Sequence, residues 1–91
     1  MTPRDRWCWL LALHVAAEQC EARQPAAVPL DDVRRELEEL GCSPGEAADA
    51  ADGLVIAGPF EVSGFRENPL RRAIVLYDVW AEGFRHPGPP P

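Results

Sequence analysis

One pentapeptide has the spacing of a catalytic serine. Gly41-Cys42-Ser43-Pro44-Gly45 matches the G-x-S-x-G pattern, in which a strained turn between a strand and a helix exposes a nucleophilic hydroxyl. The residues before this turn have helical spacing instead, and Pro44 suits the first position of a new helix. We therefore interpret Ser43 as a helix N-cap and predict neither enzymatic activity nor a catalytic residue.

The cysteines and histidines lack the spacing of a metal site. Cys8, His14 and Cys20 are six residues apart, so on a helix they point in directions about 120° apart. Cys42 belongs to no C-x-x-C pair, and three cysteines are too few for a disulfide scaffold. We predict buried thiols in a reducing compartment, with no metal and no other cofactor.

The composition excludes further kinds of chemistry. All nine basic residues are arginine, so neither a Schiff-base lysine nor a P-loop lysine is present. The 91 residues are 46% hydrophobic and carry a net charge of −6, which indicates one small folded domain. We predict that residues 1–86 form this domain and that the proline-rich residues 87–91 form a disordered tail.

Three helices are predicted to position the polar residues. Thr2 and Asp5 flank a proline in the order of a capping box, which predicts the start of the first helix. Leucine and valine at spacings of three and four, followed by Gly41, predict the second helix. Ser43 and Glu46 repeat the capping signature at the start of the third. The predicted helical ranges are 3–22, 30–40 and 44–57.

A short sheet is predicted after the helices. Beyond Pro59 the sequence reads as two strands, which predicts an antiparallel hairpin over 59–78. Residues 24–29 are predicted as a linker, since each of their two prolines disfavours helix at the residue before it. The predicted fold is mainly α with a small β-hairpin (α+β): three helices followed by two antiparallel strands. The predicted core consists of Leu11, Val33, Leu37, Leu40, Leu54, Ile74 and Leu76.

The first helix also shares features with a secretory signal peptide. Arg4 and Arg6 precede a run of eleven mainly apolar residues, and Val15 with Ala17 has the small residues of a cleavage site. The helix cap before this run favours a first helix that stays in the mature protein. Eleven residues are also too few to span a bilayer, which needs about 20. We predict a cytoplasmic protein without membrane contact, and secretion with residues 1–17 removed stays the alternative.

The order of these elements and one stretch of sequence resemble the winged helix-turn-helix superfamily. Residues 28–43 resemble its second helix and turn, where an apolar-periodic helix ends in leucine and glycine and Ser43 opens the next helix. Residues 57–61 are similar to the segment that leads from the recognition helix into the wing. The resemblance covers residues 28–78 and implies a three-helix domain with a two-stranded wing that binds DNA, RNA or protein.

The third helix lacks the charge that DNA binding requires. Residues 31–61 contain nine acidic and two basic residues, and Glu46, Asp49 and Asp52 lie on the third helix. Acidic side chains repel phosphates at the place where a recognition helix would enter the major groove. We therefore predict no binding of duplex DNA through this helix, and an acidic face on the second and third helices that binds a protein partner.

Two functions remain open at this point. The first is a non-catalytic protein-interaction module or small regulatory adaptor that binds through its acidic face. The alternative is a DNA-binding transcriptional regulator that uses the wing arginines Arg66, Arg71 and Arg72 to contact a phosphate backbone.

A second partner surface is predicted on the first helix. Apolar residues surround this helix on all sides, and a domain of 91 residues has little mass to cover them. We predict that Trp7, Trp9, Leu10 and Leu13 contribute to an interface with a protein partner or a second copy of the chain. The alternative is that the C-terminal aromatic residues and the linker fold over the helix.

Overall fold

A computed structural model of the chain describes residues 2–22, 27–56, 58, 60–62, 73–76 and 84–91. Within these ranges the protein is mainly helical, with three helices and three short strands. In chain order these are α1 (Pro3–Glu21), β1 (Ala27–Pro29), α2 (Leu30–Glu39), α3 (Pro44–Ile56), β2 (Phe60–Val62) and β3 (Ala73–Leu76). The three predicted helices are confirmed. The first two end one residue earlier than predicted, and residue 57, the predicted end of the third, lies outside the described residues.

Reciprocal capping boxes begin α1 and α3. The Asp5 amide donates to Thr2 Oγ1 at 3.1 Å, and the Thr2 amide donates to Asp5 Oδ2 at 3.2 Å. At α3 the Glu46 amide donates to Ser43 Oγ at 3.2 Å, and the Ser43 amide donates to Glu46 Oε1 at 2.8 Å. The interpretation of Ser43 as an N-cap is therefore confirmed, since its hydroxyl satisfies a backbone donor of α3.

Gly41 ends α2 in a left-handed conformation. Its φ of 112° is one that side chains with a Cβ rarely adopt. The Gly41 amide donates to the Glu38 carbonyl at 3.2 Å, and the Cys42 amide donates to the Leu37 carbonyl at 3.0 Å. These two bonds form a Schellman motif, which turns the chain sharply from α2 into α3.

The three strands form one antiparallel sheet in the order β1-β3-β2. Val28 pairs with Ile74, and Phe60 pairs with Leu76 on the other side of β3. The prediction of a linker was therefore wrong for residues 27–29, which form a strand, and so was the prediction of only two strands. Residues 24–26 lie outside the described residues. Pro29 is tolerated at the end of an edge strand, where a missing N–H removes no ladder bond. The connection 63–72 between the predicted strands lies outside the described residues.

The core lies where α1 packs against both other helices and the sheet. Leu11, Val33, Leu37 and Leu54 have no solvent exposure, so their predicted burial is confirmed. The prediction was wrong for Leu40, which is 43% exposed. Leu40 is the C-cap of α2, where the chain already leaves the helical path. The side chains of Ile74 and Leu76 lie outside the described part of the structure.

The proline-rich end of the chain packs against α1. The Trp7 indole Nε1 donates to the Gly88 carbonyl at 3.0 Å, and the His86 ring meets the His14 ring edge-on at 5.0 Å between centroids. Pro87 and Gly88, the first two residues of the tail that is predicted to be disordered, are half-buried. A segment rich in proline has few amide donors, but its carbonyls still accept hydrogen bonds from outside.

Candidate functional site

A groove with a volume of about 520 Å³ runs between α1 and α3. One wall consists of α1 residues spaced i, i+3 and i+4, and the other consists of α3 residues spaced i, i+3, i+4 and i+7. Each set of spacings places its residues on one face of the helix. The lining residues are Asp5, Cys8, Trp9, Glu46, Asp49, Ala50 and Gly53. An apolar floor therefore lies between walls that both carry carboxylates.

Trp9 is the aromatic residue of the groove lining, and its ring fits because α3 has a glycine opposite. A Cβ added at Gly53 would lie 3.0 Å from Cζ3 of the Trp9 ring, which is closer than ordinary van der Waals contact. Trp9 is half-buried, so part of its indole faces the groove. A glycine inside a helix lowers the stability of that helix. At position 53 it leaves room for the Trp9 indole, which a side chain with a Cβ would crowd.

Glu46 is committed to an ion pair with α1. Arg4 Nε lies 2.7 Å from Glu46 Oε2, and Arg4 Nη2 lies 3.1 Å from Oε1. The same Nη2 donates to the Gly41 carbonyl at 2.9 Å, so one guanidinium joins α1 to the α2–α3 turn. The hydrogen bonds from Arg4, with further help from the Ser43 amide, lower the pKa of Glu46 to about 2. Glu46 is one of the predicted partner-binding residues, and both its carboxylate oxygens already accept hydrogen bonds within the chain.

Acidification is expected to weaken this link between the helices. Because the pKa of Glu46 falls from 4.5 to about 2 on folding, its stabilising contribution is complete above pH 4.5 and is lost as the pH falls through about 2. Urea midpoints measured between pH 7 and pH 2 should fall less steeply for Glu46→Gln than for the native protein. Glu38→Gln, at an exposed position on α2, is the control and should keep the native slope. Coincident profiles for the native protein and Glu46→Gln would contradict the expectation.

The other two predicted acidic residues have different positions. Asp49 lines the groove, whereas Asp52 is absent from its lining and lies further round α3. Both side chains are exposed, and neither forms an ion pair within the part of the chain that the structure describes. Of the predicted acidic face, Asp49 and Asp52 therefore remain available to a partner.

Two buried thiols meet beneath the groove. Cys8 Sγ and Cys42 Sγ are 3.5 Å apart, although the residues are 34 positions apart in sequence. Burial raises the pKa of Cys8 to about 12 and is also the main cause of the raised pKa of Cys42. Both thiols are therefore protonated at neutral pH, which makes them poor nucleophiles. Within the described ranges, no three residues of the metal-ligating types lie close enough together to hold an ion.

The predicted interface on α1 is divided between two places. Trp9 belongs to the α1–α3 groove, while Leu10 and Leu13 border a separate hollow beside the proline-rich end of the chain. Trp7, which is predicted to contribute to this interface, is only 6% exposed. Trp7 belongs to the hydrophobic core, and its indole N–H donates to the Gly88 carbonyl.

The structure describes only some of the remaining candidate residues. Arg66, Arg71 and Arg72 of the predicted wing lie outside the described residues, as does Trp80 among the C-terminal aromatic residues. Phe84 is described: its ring stacks on that of Phe60 in β2, with centroids 6.0 Å apart.

Comparison with known proteins gives no relative. The sequence matches no protein-family model, no curated protein and no solved structure. Among the helices of the described ranges, none combines the length and the apolar character that crossing a bilayer requires. The residues of the groove are therefore the basis for inferring a function.

Proposed function

We propose that this chain is a non-catalytic protein-interaction module that binds a basic segment of a partner protein in the α1–α3 groove. The observation that carries the proposal is the combination of an apolar floor with carboxylates on both walls, Asp5 on α1 and Asp49 on α3. An arginine or lysine side chain fits such a site well. Its aliphatic stem packs on Trp9 and its charged end reaches the carboxylates.

A winged-helix-like architecture supports a role in recognition. Residues 28–78 resemble the winged helix-turn-helix superfamily, and a role in recognition is what this resemblance implies for a domain with three helices followed by β2 and β3. The resemblance implies that α3 corresponds to the recognition helix. The groove then uses the helix that recognises ligands in such domains, with a different chemistry on its surface.

The charges of α3 favour a protein partner over nucleic acid. Its sequence from Pro44 to Ile56 contains three acidic residues and no basic residue. Asp49 and Asp52 are exposed, so a phosphate backbone that approached α3 would meet uncompensated negative charge. A basic peptide would meet attraction at the same surface.

Binding of a labelled basic peptide tests the proposal. The native protein should bind a peptide of alternating arginine and leucine saturably, with an affinity that falls as salt increases, and should ignore the same peptide with glutamate in place of arginine. The double reversal Asp49→Arg with Asp52→Arg should weaken binding at least about tenfold, which is a loss of about 1.4 kcal/mol. Fluorescence anisotropy gives both affinities.

The matched control is Glu38→Arg with Glu39→Arg, which changes the net charge equally on exposed positions of α2. Equal losses in the two double variants would show attraction by net charge alone and contradict a site in the groove. Random duplex DNA forms the second arm of the experiment. Salt-sensitive DNA binding by the native protein, lost when Arg66, Arg71 and Arg72 become alanine, would establish the transcriptional-regulator alternative.

A further inference from the structure

The side of α1 that carries Trp7 makes contacts typical of proline-rich recognition. The Trp7 indole N–H donates to the Gly88 carbonyl at 3.0 Å. The segment that accepts this bond, His86-Pro87-Gly88-Pro89-Pro90-Pro91, contains four prolines in six residues. Proline-rich chains are recognised in this way because they lack amide donors, keep strong carbonyl acceptors and lose little entropy when they bind.

The indole is held in place by the rest of the domain. The Arg4 guanidinium carbon lies 5.7 Å from the centroid of the Trp7 ring, and Arg4 is itself fixed by its ion pair with Glu46. The donor of Trp7 therefore points in a defined direction before any ligand arrives. A fixed aromatic donor costs less entropy on binding than a mobile one.

An apolar hollow continues the same surface. Its volume is about 420 Å³, and it lies between α1 and the last part of the chain. The lining residues are Leu10, Leu13, Phe84, Arg85, His86 and Pro87. The His86 ring also meets His14 edge-on, so the segment contacts α1 at positions 7 and 14, two turns apart.

We propose that Trp7, Leu10 and Leu13 form a binding site for a proline-rich segment of a partner protein, and that residues 86–91 occupy this site in cis. The chain's own segment then competes with the partner. This site is separate from the acidic groove, because it uses another side of α1 and an uncharged ligand.

Releasing the segment in the full-length chain tests the proposal. Gly88 has a φ of 87°, which a β-branched residue does not tolerate, so Gly88→Val should detach the segment. A labelled peptide with the sequence of residues 86–91 should then bind at least tenfold more tightly to Gly88→Val than to the native protein. Pro91→Ala, at an exposed position, is the control and should bind as weakly as the native protein.

Two further variants identify the site. Trp7→Phe in the Gly88→Val background keeps an aromatic ring but removes the N–H donor, and it should abolish most of the gained affinity. The double reversal of Asp49 and Asp52 should leave that affinity unchanged, which separates this site from the groove. A peptide with serine in place of each proline should not bind.

Three results would overturn the proposal: no gain of peptide affinity in Gly88→Val, a gain that survives Trp7→Phe, or equal binding of the serine peptide. If circular dichroism shows that Gly88→Val is unfolded, Gly88→Ala takes its place, since the same φ strains alanine with only one added methyl group. Sedimentation adds a fourth criterion. A native dimer that Gly88→Val converts to a monomer would assign the segment to a second copy and overturn occupation in cis.

Discussion

Replacing Leu37 by alanine should lower the free energy of unfolding by about 2–5 kcal/mol. Leu37 lies on α2, has no solvent exposure and belongs to the core that α1 shares with the other helices. Removal of its isobutyl group leaves a cavity that the neighbouring helices fill only in part. For a domain of this size, with a total stability of about 5–14 kcal/mol, such a loss is a large fraction of the whole.

Leu40→Ala is the matched control, because it makes the same chemical change three residues later. Leu40 is 43% exposed, so its replacement should cost less than about 1 kcal/mol. Urea denaturation followed by circular dichroism measures both values. Similar losses for the two variants would contradict the packing of α2 described above.

Adding a methyl group at Gly58 is expected to have the second large effect. A Cβ at this position would lie 2.6 Å from the Leu54 carbonyl oxygen and 3.0 Å from the Leu54 Cα. Both are backbone atoms, so the contact is not relieved by rotating a side chain. Gly58→Ala should therefore destabilise the protein by about 1–3 kcal/mol, the range for overpacking, as thermal or urea unfolding would measure.

Gly45→Ala is the matched control, and unlike Gly58→Ala it should not destabilise the protein. Gly45 lies in the first turn of α3, and a Cβ there would have no neighbour within 4 Å. Alanine should be neutral or stabilise α3 by up to about 1 kcal/mol, because it restricts the unfolded chain. If Gly58→Ala proved as stable as Gly45→Ala, the close approach of residue 58 to the end of α3 would be wrong.

Features that depend on neighbouring residues were predictable from sequence. The capping boxes at Thr2 and Ser43 involve residues three positions apart, so their sequence signature contains nearly all of the interaction. The burial of Leu37 follows from helical spacing in the same way. The spacing also suggested burial of Leu40, but it does not show that Gly41 ends the helix one residue too early for that side chain.

Features that join distant residues could not be predicted in this way. β1 has only three residues and no strong strand signal, and its pairing with β3 depends on residues 44 to 48 positions further along. The Cys8–Cys42 contact and the hydrogen bond from Trp7 to Gly88 also join residues that are far apart in the sequence. Each is set by tertiary packing, and local propensity carries no information about it.

The candidate site combines both kinds of feature. The acidic character of α3 is visible in the sequence, and the exposure of Asp49 and Asp52 agrees with it. The engagement of Glu46 by Arg4, 42 positions away, is not visible there. The close approach of Gly53 to Trp9 is not visible there either, because it joins residues 44 positions apart.

The central place of β3 in the sheet sets an order of events during folding. β1 and β2 leave the ribosome before β3, yet each pairs only with β3 in the described sheet. Pairing of β1 with β3 must close a loop that contains α2 and α3, and the entropic cost of closure grows with loop length. Contacts among the helices are more local and are expected to form faster. The helices are therefore expected to assemble first, and neither β1 nor β2 has its partner in the described sheet until β3 joins it.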